Sequence, residues 1–197
     1  MYKVFGTVNS RAFRVLWALE EIGAPYEFIP AGPRSDTVLA LNPSGKVPVL
    51  QDGDDVLTDS TAIITYLADK HGKLTYPAGT IERAHQDALT HALLDELDST
   101  LWIATRHGFI LPEDRRVPEI RPSLEWEFAQ SAVRLADRFK GPYLQGDKMT
   151  IADIVGTHCL NWAIGAKFPL ESETLLAYAK SMRARDAFKR ARHEVPT

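Results

Sequence analysis

The hydrophobic period of this chain changes once, at Tyr76-Pro77-Ala78-Gly79, and that change limits the folds open to it. Before it, short alternating runs are interspersed with stretches of helical period; after it, every apolar pattern has helical spacing. Tyr2-Lys3-Val4-Phe5 reads as a strand that ends at Gly6. A helix from about Arg11 to Glu21 puts Ala12, Val15, Leu16, Leu19 and Ile22 on one face, with Gly23 just past its end. Tyr26-Glu27-Phe28-Ile29 alternates as a second strand, Pro30, Gly32 and Pro33 mark a loop, and a short helical stretch runs from Ser35 to Leu41. Val47-Pro48-Val49-Leu50 and Val56-Leu57 flank Asp52-Gly53-Asp54-Asp55 as a hairpin. A helix from Thr61 to His71, with Ile63, Ile64 and Leu67 inward, completes a β-α-β-α-β-β-α order.

Downstream, a helix starting at Thr80 or Ile81 is expected to reach His107, with Leu89, Leu93, Leu97 and Leu101 recurring every fourth residue. Pro112 through Pro122 interrupts it. A helix then resumes to Lys140, with Leu124, Phe128, Leu135 and Phe139 inward, and Gly141-Pro142 stops it. Thr150-Ile151-Ala152-Asp153 opens another helix, its Thr-x-x-Asp spacing reading as a reciprocal cap with Met149 as a staple residue. At least one more helix lies between Ser172 and Arg192. The expected fold class is α/β plus all-α: a small α/β domain over 1–75 and an all-α domain over 81–197.

Composition removes several functions. A net charge of -3 argues against an electrostatic nucleic-acid binder. The single cysteine excludes an internal disulfide, a Cys-x-x-Cys redox pair and a multi-cysteine zinc site. Cys159, among Ile154, Val155 and Leu160, reads as core filling. His85 and His91 do not share a helical face, so no metal is expected. Met1 to Gly6 lacks the apolar core of a signal peptide, and no run has membrane-spanning length, so a cytoplasmic protein without a membrane partner is expected.

Two segments carry the chemistry. In Asn42-Pro43-Ser44-Gly45-Lys46-Val47-Pro48-Val49-Leu50, a proline inside an apolar run confines the strand to an edge. Either Pro48 is an ordinary trans proline at a strand start, or a cis Val47-Pro48 bond leaves the Val47 backbone able to pair with an extended peptide. In Leu57-Thr58-Asp59-Ser60-Thr61, Ser60 falls where the third helix begins. It is either a plain N-cap beside a solvated Asp59, or the pair suits a ligand with a carboxylate and an ammonium on one carbon.

Together with Ser10-Arg11-Ala12-Phe13-Arg14-Val15-Leu16-Trp17-Ala18-Leu19-Glu20-Glu21-Ile22-Gly23-Ala24-Pro25-Tyr26-Glu27 and Met149-Thr150-Ile151-Ala152-Asp153, these segments resemble the glutathione S-transferase family, in order and over nearly the whole chain. The resemblance implies a thioredoxin-like N-terminal domain, a helical domain contributing the acceptor-substrate pocket, glutathione as co-substrate, and a homodimer. It makes the cis form of Val47-Pro48 the expected one. By position, Val47 would hold the cysteinyl part of glutathione through its backbone next to Pro48, and Asp59 and Ser60 the γ-glutamyl end. Many relatives have Glu or Gln before that Ser, so Asp59 is one methylene shorter. Lys46 matches a position near the glycyl carboxylate and reads otherwise as a solvated lysine.

The loop after the first strand, Gly6-Thr7-Val8-Asn9-Ser10, has neither the Tyr nor the Cys that many members use on the thiol; the chain resembles the non-tyrosine, theta-like members instead. Thr7-x-Asn9 resembles a bacterial subgroup that places a Thr and an Asn around the thiol. Thr7 is the first candidate for thiol activation, followed by Asn9 and Ser10, with a helix-capping role open for Ser10. Trp102, Arg106, His107 and Phe109 fall where members line the acceptor pocket, with packing an equal role for Trp102 and Phe109. The implied reaction is attack of the glutathione thiolate on a small electrophile or a disulfide. The alternatives are glutathione-dependent disulfide or peroxide reduction, and a non-catalytic module that binds glutathione or another ligand.

Overall fold

The computed structural model describes residues 1–193. Packing divides the described residues into two compact units: Met1–Thr80 with residues 182–193, and Ile81–Ser181.

In the first unit the elements are β1 (Tyr2–Gly6), α1 (Ala12–Ile22), β2 (Tyr26–Pro30), α2 (Asp36–Leu41), β3 (Val49–Asp52), β4 (Asp55–Thr58) and α3 (Ser60–His71), followed at the far end of the chain by α9 (Asp186–His193). The sheet order is β2-β1-β3-β4, with β1 parallel to β2 and antiparallel to β3, and β3 antiparallel to β4. Val4, Leu50, Leu16, Ile63, Ile64 and Leu67 are fully buried between sheet and helices, which is what the inward faces read from the sequence require.

The unit also holds what the expected 81–197 boundary assigned to the helical part. Phe188 of α9 sets its ring edge-on against Phe13 and Trp17 of α1, with centroids 4.9 and 5.0 Å apart. Arg185 grips Glu21 at 2.6 and 2.8 Å, and the same carboxylate accepts from Trp17 Nε1 at 2.9 Å. Arg190 reaches Glu20 at 2.6 Å. Aromatic pairs of this geometry add about 0.5–1.5 kcal/mol beyond burial, and bidentate Arg–carboxylate contacts fix direction.

In the second unit, α4 (Ile81–Ala92) runs into a π-helical segment (Leu93–Asp98), then α5 (Ser99–Thr105) and a second π-helical segment (Arg106–Ile110). The expected single helix to His107 is therefore one continuous helical run with two widened stretches, and it goes three residues further. Leu111, in the extended conformation before Pro112, ends it. Two 3₁₀ turns, Glu113–Arg115 and Pro118–Ile120, fill the proline-rich break before α6 (Arg121–Arg138). That helix stops two residues short of Lys140, where Phe139 turns extended ahead of Gly141 at φ +57° and a cis Gly141–Pro142 bond. α7 (Ile151–Gly165) and α8 (Glu173–Arg183) follow, and the unit ends within α8, at Ser181.

The start of α7 carries the expected capping box, buried and extended by two further bonds. The Asp153 carboxylate accepts from the Thr150 N–H at 2.8 Å, the Leu144 N–H at 2.9 Å and the Tyr178 hydroxyl at 2.8 Å. Burial pushes the Asp153 carboxyl pKa up, and these hydrogen bonds oppose it; burial also holds the Tyr178 phenol well above its usual range.

Candidate functional site

The strand register builds the site. Phe5 of β1 faces Val49 of β3, and Val49 faces Thr58 of β4, so the three residues form one row across the sheet. Adjacent strands lie about 4.8 Å apart. The chain therefore leaves β1 at Gly6-Thr7, enters β3 from Val47-Pro48, and leaves β4 at Asp59-Ser60, all at the same end of the sheet.

Glycine makes the first of these junctions possible. A Cβ on Gly6 would lie 2.4 Å from the Ala12 Cβ and 3.6 Å from that of Val47. The β1 exit, the first turn of α1 and Val47 thus meet at van der Waals distance around a position that admits no side chain.

The Val47–Pro48 peptide bond is cis, as the resemblance implied. β3 is an inner strand, between β1 and β4, and not the edge strand expected from Pro48: its pairing begins at Val49, so Pro48 removes no ladder donor and the Val47 N–H and C=O stand outside the ladder. Val47 is half-buried, Pro48 buried and Lys46 exposed. Asn42, nearly buried, holds this loop from within. Its Nδ2 donates to the Lys46 carbonyl at 2.9 Å, and its Oδ1 accepts from the Ser44 N–H at 3.1 Å and the Ser44 hydroxyl at 2.9 Å.

At the start of α3 the capping role differs from the sequence expectation. Asp59, not Ser60, is the N-cap: its Oδ1 accepts from the Thr61 N–H at 2.9 Å and the Ala62 N–H at 3.0 Å. Those two N–H groups are thereby unavailable to an external anion, and the carboxylate is held in one orientation. Asp59 adopts φ +69°, outside the range most side chains favour, a conformation associated with functional positions. Ser60 is buried and its hydroxyl accepts from Arg14 Nη1 at 3.4 Å, which leaves the hydroxyl proton to donate.

Arg14 escaped the sequence reading. It is fully buried in α1. The signal was there: Ala12 to Leu19 is apolar everywhere except at Arg14, which marks a helix covered on nearly all sides and a charge that must be paired inside. Asn42 and Gly6 also act here, Asn42 by shaping the loop and Gly6 by allowing close approach.

The three residues proposed for the thiol separate by their bonding. The Ser10 hydroxyl donates to the Thr7 carbonyl at 2.7 Å and accepts from the Ala12 N–H at 3.1 Å, so it serves the turn into α1. Thr7 is half-buried and Asn9 exposed; among the described residues no hydrogen bond fixes either side-chain polar group.

In the helical unit, Trp102 lies on α5 and is half-buried, while Arg106, His107 and Phe109 lie on the second π-helical segment. His107 Nδ1 accepts from the Val117 N–H at 3.1 Å, and Arg116 donates to the Phe109 carbonyl at 3.1 Å, so both help hold the break after the helix. Phe109 is 66% exposed. Among the described residues no helix is long and apolar enough to cross a membrane.

Comparison with known proteins agrees with this geometry. Residues 7–75 match the family described as "Glutathione S-transferase, N-terminal domain". The chain is 33% identical over 171 residues to glutathione S-transferase 1 of Triticum aestivum, covering 77% of this chain and 75% of the wheat protein. It is 32% identical over 168 residues to glutathione S-transferase GstB of Escherichia coli K12, covering 78% and 79%. A crystal structure of a glutathione transferase from Methylococcus capsulatus superposes with a TM-score of 0.83 at 25% identity over 97% of both chains. The register row, the cis proline and these relatives converge on a thioredoxin-like unit joined to a helical one, and the chain belongs to the glutathione S-transferase family.

Proposed function

We propose that this chain is a glutathione transferase whose thiol-binding end is the row of Thr7, Val47 and Asp59-Ser60. One observation carries the reading: the Phe5–Val49–Thr58 register delivers three segments, distant in sequence, to one end of the sheet. An extended tripeptide laid there pairs its cysteinyl backbone with the Val47 N–H and C=O, as strand addition does elsewhere. The γ-glutamyl carboxylate accepts a hydrogen bond from the Ser60 hydroxyl, and the ammonium meets the oriented Asp59 carboxylate. Lys46 faces the glycyl end as a cation. Pro48 fixes the path of the chain beside Val47.

Thr7 is the group assigned to the sulfur, because the Ser10 hydroxyl already serves the turn; Asn9 is second. A free thiol has a pKa near ~8.5, and a hydroxyl donor beside a helix start favours the thiolate. The thiol proton passes to solvent, and the thiolate forms a C–S bond with a small electrophile as a halide leaves or an epoxide C–O bond opens, with Trp102, Arg106, His107 and Phe109 as the acceptor-contacting residues. The gain comes from proximity and thiolate stabilisation, with no covalent enzyme intermediate. A cytoplasmic, homodimeric enzyme acting in detoxification is part of this proposal.

The test is the pH titration of the thiolate ultraviolet absorbance of bound glutathione. The wild type is expected to titrate below the free thiol, Thr7→Ala to shift back toward it, and Ser60→Ala to weaken binding. A titration unmoved by Thr7→Ala but moved by Asn9→Ala would transfer the role to Asn9. Glutathione affinity unchanged in Ser60→Ala would remove Ser60 from the site. Parallel assays with an aromatic halide and with hydroxyethyl disulfide separate conjugation from reduction, and binding without either activity would leave only a binding module.

A further inference from the structure

Within the helical unit, and with none of the residues assigned above to glutathione, three side chains of different chemistry converge. One ligand atom each from Asp98, His158 and Cys159 all lie within 4.8 Å of one another. Asp98 and Cys159 are buried and His158 is half-buried. The Cys159 sulfur stands 3.9 Å from Asp98 Oδ2.

The backbone explains the convergence. Asp98 is the last residue of the first π-helical segment, Leu93–Asp98. Such widened turns re-aim side chains and recur at functional sites. On α7, Gly156 permits close approach: a Cβ there would lie 3.5 Å from Leu93 Cδ1 and 2.9 Å from Leu144 Cδ1. The next turn of α7 therefore brings His158 and Cys159 against the end of the π-helical segment.

We propose that Asp98, His158 and Cys159 form a binding site for a borderline-soft divalent transition ion of the Zn2+ class. The donor set is one thiolate, one imidazole and one carboxylate, the mixture that suits zinc better than magnesium or calcium. With Zn–S near 2.3 Å and Zn–O near 2.0–2.2 Å, tetrahedral coordination requires sulfur and oxygen about 3.5 Å apart. The present 3.9 Å therefore closes by a few tenths of an ångström. Water takes the fourth position, reached from the half-exposed His158 side. On binding, the Cys159 S–H bond breaks, its electron pair goes to the metal and its proton to the buffer; His158 binds as neutral imidazole and Asp98 as carboxylate. The ion then bridges α7 to the helical run that starts at α4. No spacing in the sequence announces this site, because two ligands are adjacent and the third lies sixty residues upstream.

The experiment is a titration of the full chain, after treatment with chelator, with Co2+. The expected result is a near-ultraviolet thiolate-to-Co2+ charge-transfer band saturating at one ion per chain, lost on adding Zn2+. One proton should be released per ion near neutral pH, and Tm should rise with Zn2+. Cys159→Ser should abolish the band, and Asp98→Asn and His158→Gln should each weaken binding at least tenfold, the loss that removing even an outer partner of a metal ligand can produce. Asp98→Asn keeps the shape of the side chain, so it serves where Cys159→Ser fails to fold. No charge-transfer band at saturating Co2+, a band that survives Cys159→Ser, or affinity unchanged in Asp98→Asn would each overturn the proposal. In that outcome Cys159 is a buried thiol beside Asp98 and nothing more.

Discussion

Replacing Asn42 with alanine should weaken glutathione binding by about 5–30-fold while leaving the fold in place. The side chain makes three hydrogen bonds inside one loop: to the Lys46 carbonyl at 2.9 Å, and from the Ser44 N–H and hydroxyl at 3.1 and 2.9 Å. A neutral hydrogen bond contributes about 0.5–1.5 kcal/mol net. Ser44 is exposed, so its two donors regain water partners when the carboxamide goes. The Lys46 carbonyl loses the bond that sets the approach to Val47. Together the losses come to about 1–2 kcal/mol of loop order, which glutathione must then restore on binding. At about 1.4 kcal/mol per tenfold, that gives the stated range. Isothermal titration with glutathione reads the affinity, and hydrogen exchange at Ser44 and Lys46 reads the loop. Asn42→Asp sharpens the test: it keeps an acceptor for Ser44 but sets a carboxylate oxygen against the Lys46 carbonyl, so it should bind no better than Asn42→Ala. Affinity within twofold of wild type in Asn42→Ala, alongside faster exchange in the loop, would refute the dependence of Val47 on Asn42.

Asp153→Ala should cost about 3–5 kcal/mol, since three buried donors lose one acceptor; a urea midpoint lowered at constant m reads it. Gly6→Ala should cost about 1–3 kcal/mol, because its Cβ would sit 2.4 Å from that of Ala12, and it should weaken glutathione binding by displacing Val47. Thermal unfolding and the same titration check both halves. Asp52→Asn should flatten the acid side of the stability profile. Hydrogen bonds from Lys70 and Tyr66 lower the Asp52 carboxyl pKa, so its contribution is full above the unfolded value near ~4 and fades as pH falls through the lower folded value. Unfolding measured between about pH 5 and pH 2 should show a shallower loss in the variant than in the wild type.

The elements were legible wherever burial imposes a period. Alternation at Tyr2–Phe5 and Tyr26–Ile29, and the apolar faces of α1, α3 and α6, follow from one-sided packing that any chain of this pattern must satisfy. The π-helical segments were not, because Leu93, Leu97 and Leu101 bury correctly with or without a widened turn between them. Nor was the place of α9. Phe188 against Phe13 and Trp17, Arg190 on Glu20 and, just before the helix, Arg185 on Glu21 fix where it belongs, and every one of these contacts joins residues more than 160 apart in the sequence.

The site shows the same division more sharply. Its segments could be named from local chemistry: a proline in a strand, a Ser at a helix start, a polar loop after β1. Which atom does what could not, since each assignment depends on a partner remote in sequence. Asp59 and Ser60 are both good caps, and a local reading favours the serine. The structure reverses the order because Asp59 takes a left-handed φ that turns its carboxylate onto Thr61 and Ala62, while Arg14 engages the serine from α1. The reversal has a functional consequence. With Ser60 as cap, its oxygen would be engaged by α3's own N–H groups and the aspartate would drift in solvent. With Asp59 as cap, the carboxylate is aimed and the serine hydroxyl, oriented by a buried guanidinium, keeps its proton for a ligand. In the proposed site, a dipeptide that reads as a helix start signal thereby supplies a matched acceptor and donor for a group bearing both an ammonium and a carboxylate, and it is the buried Arg14, 46 residues upstream of Ser60, that orients the donor.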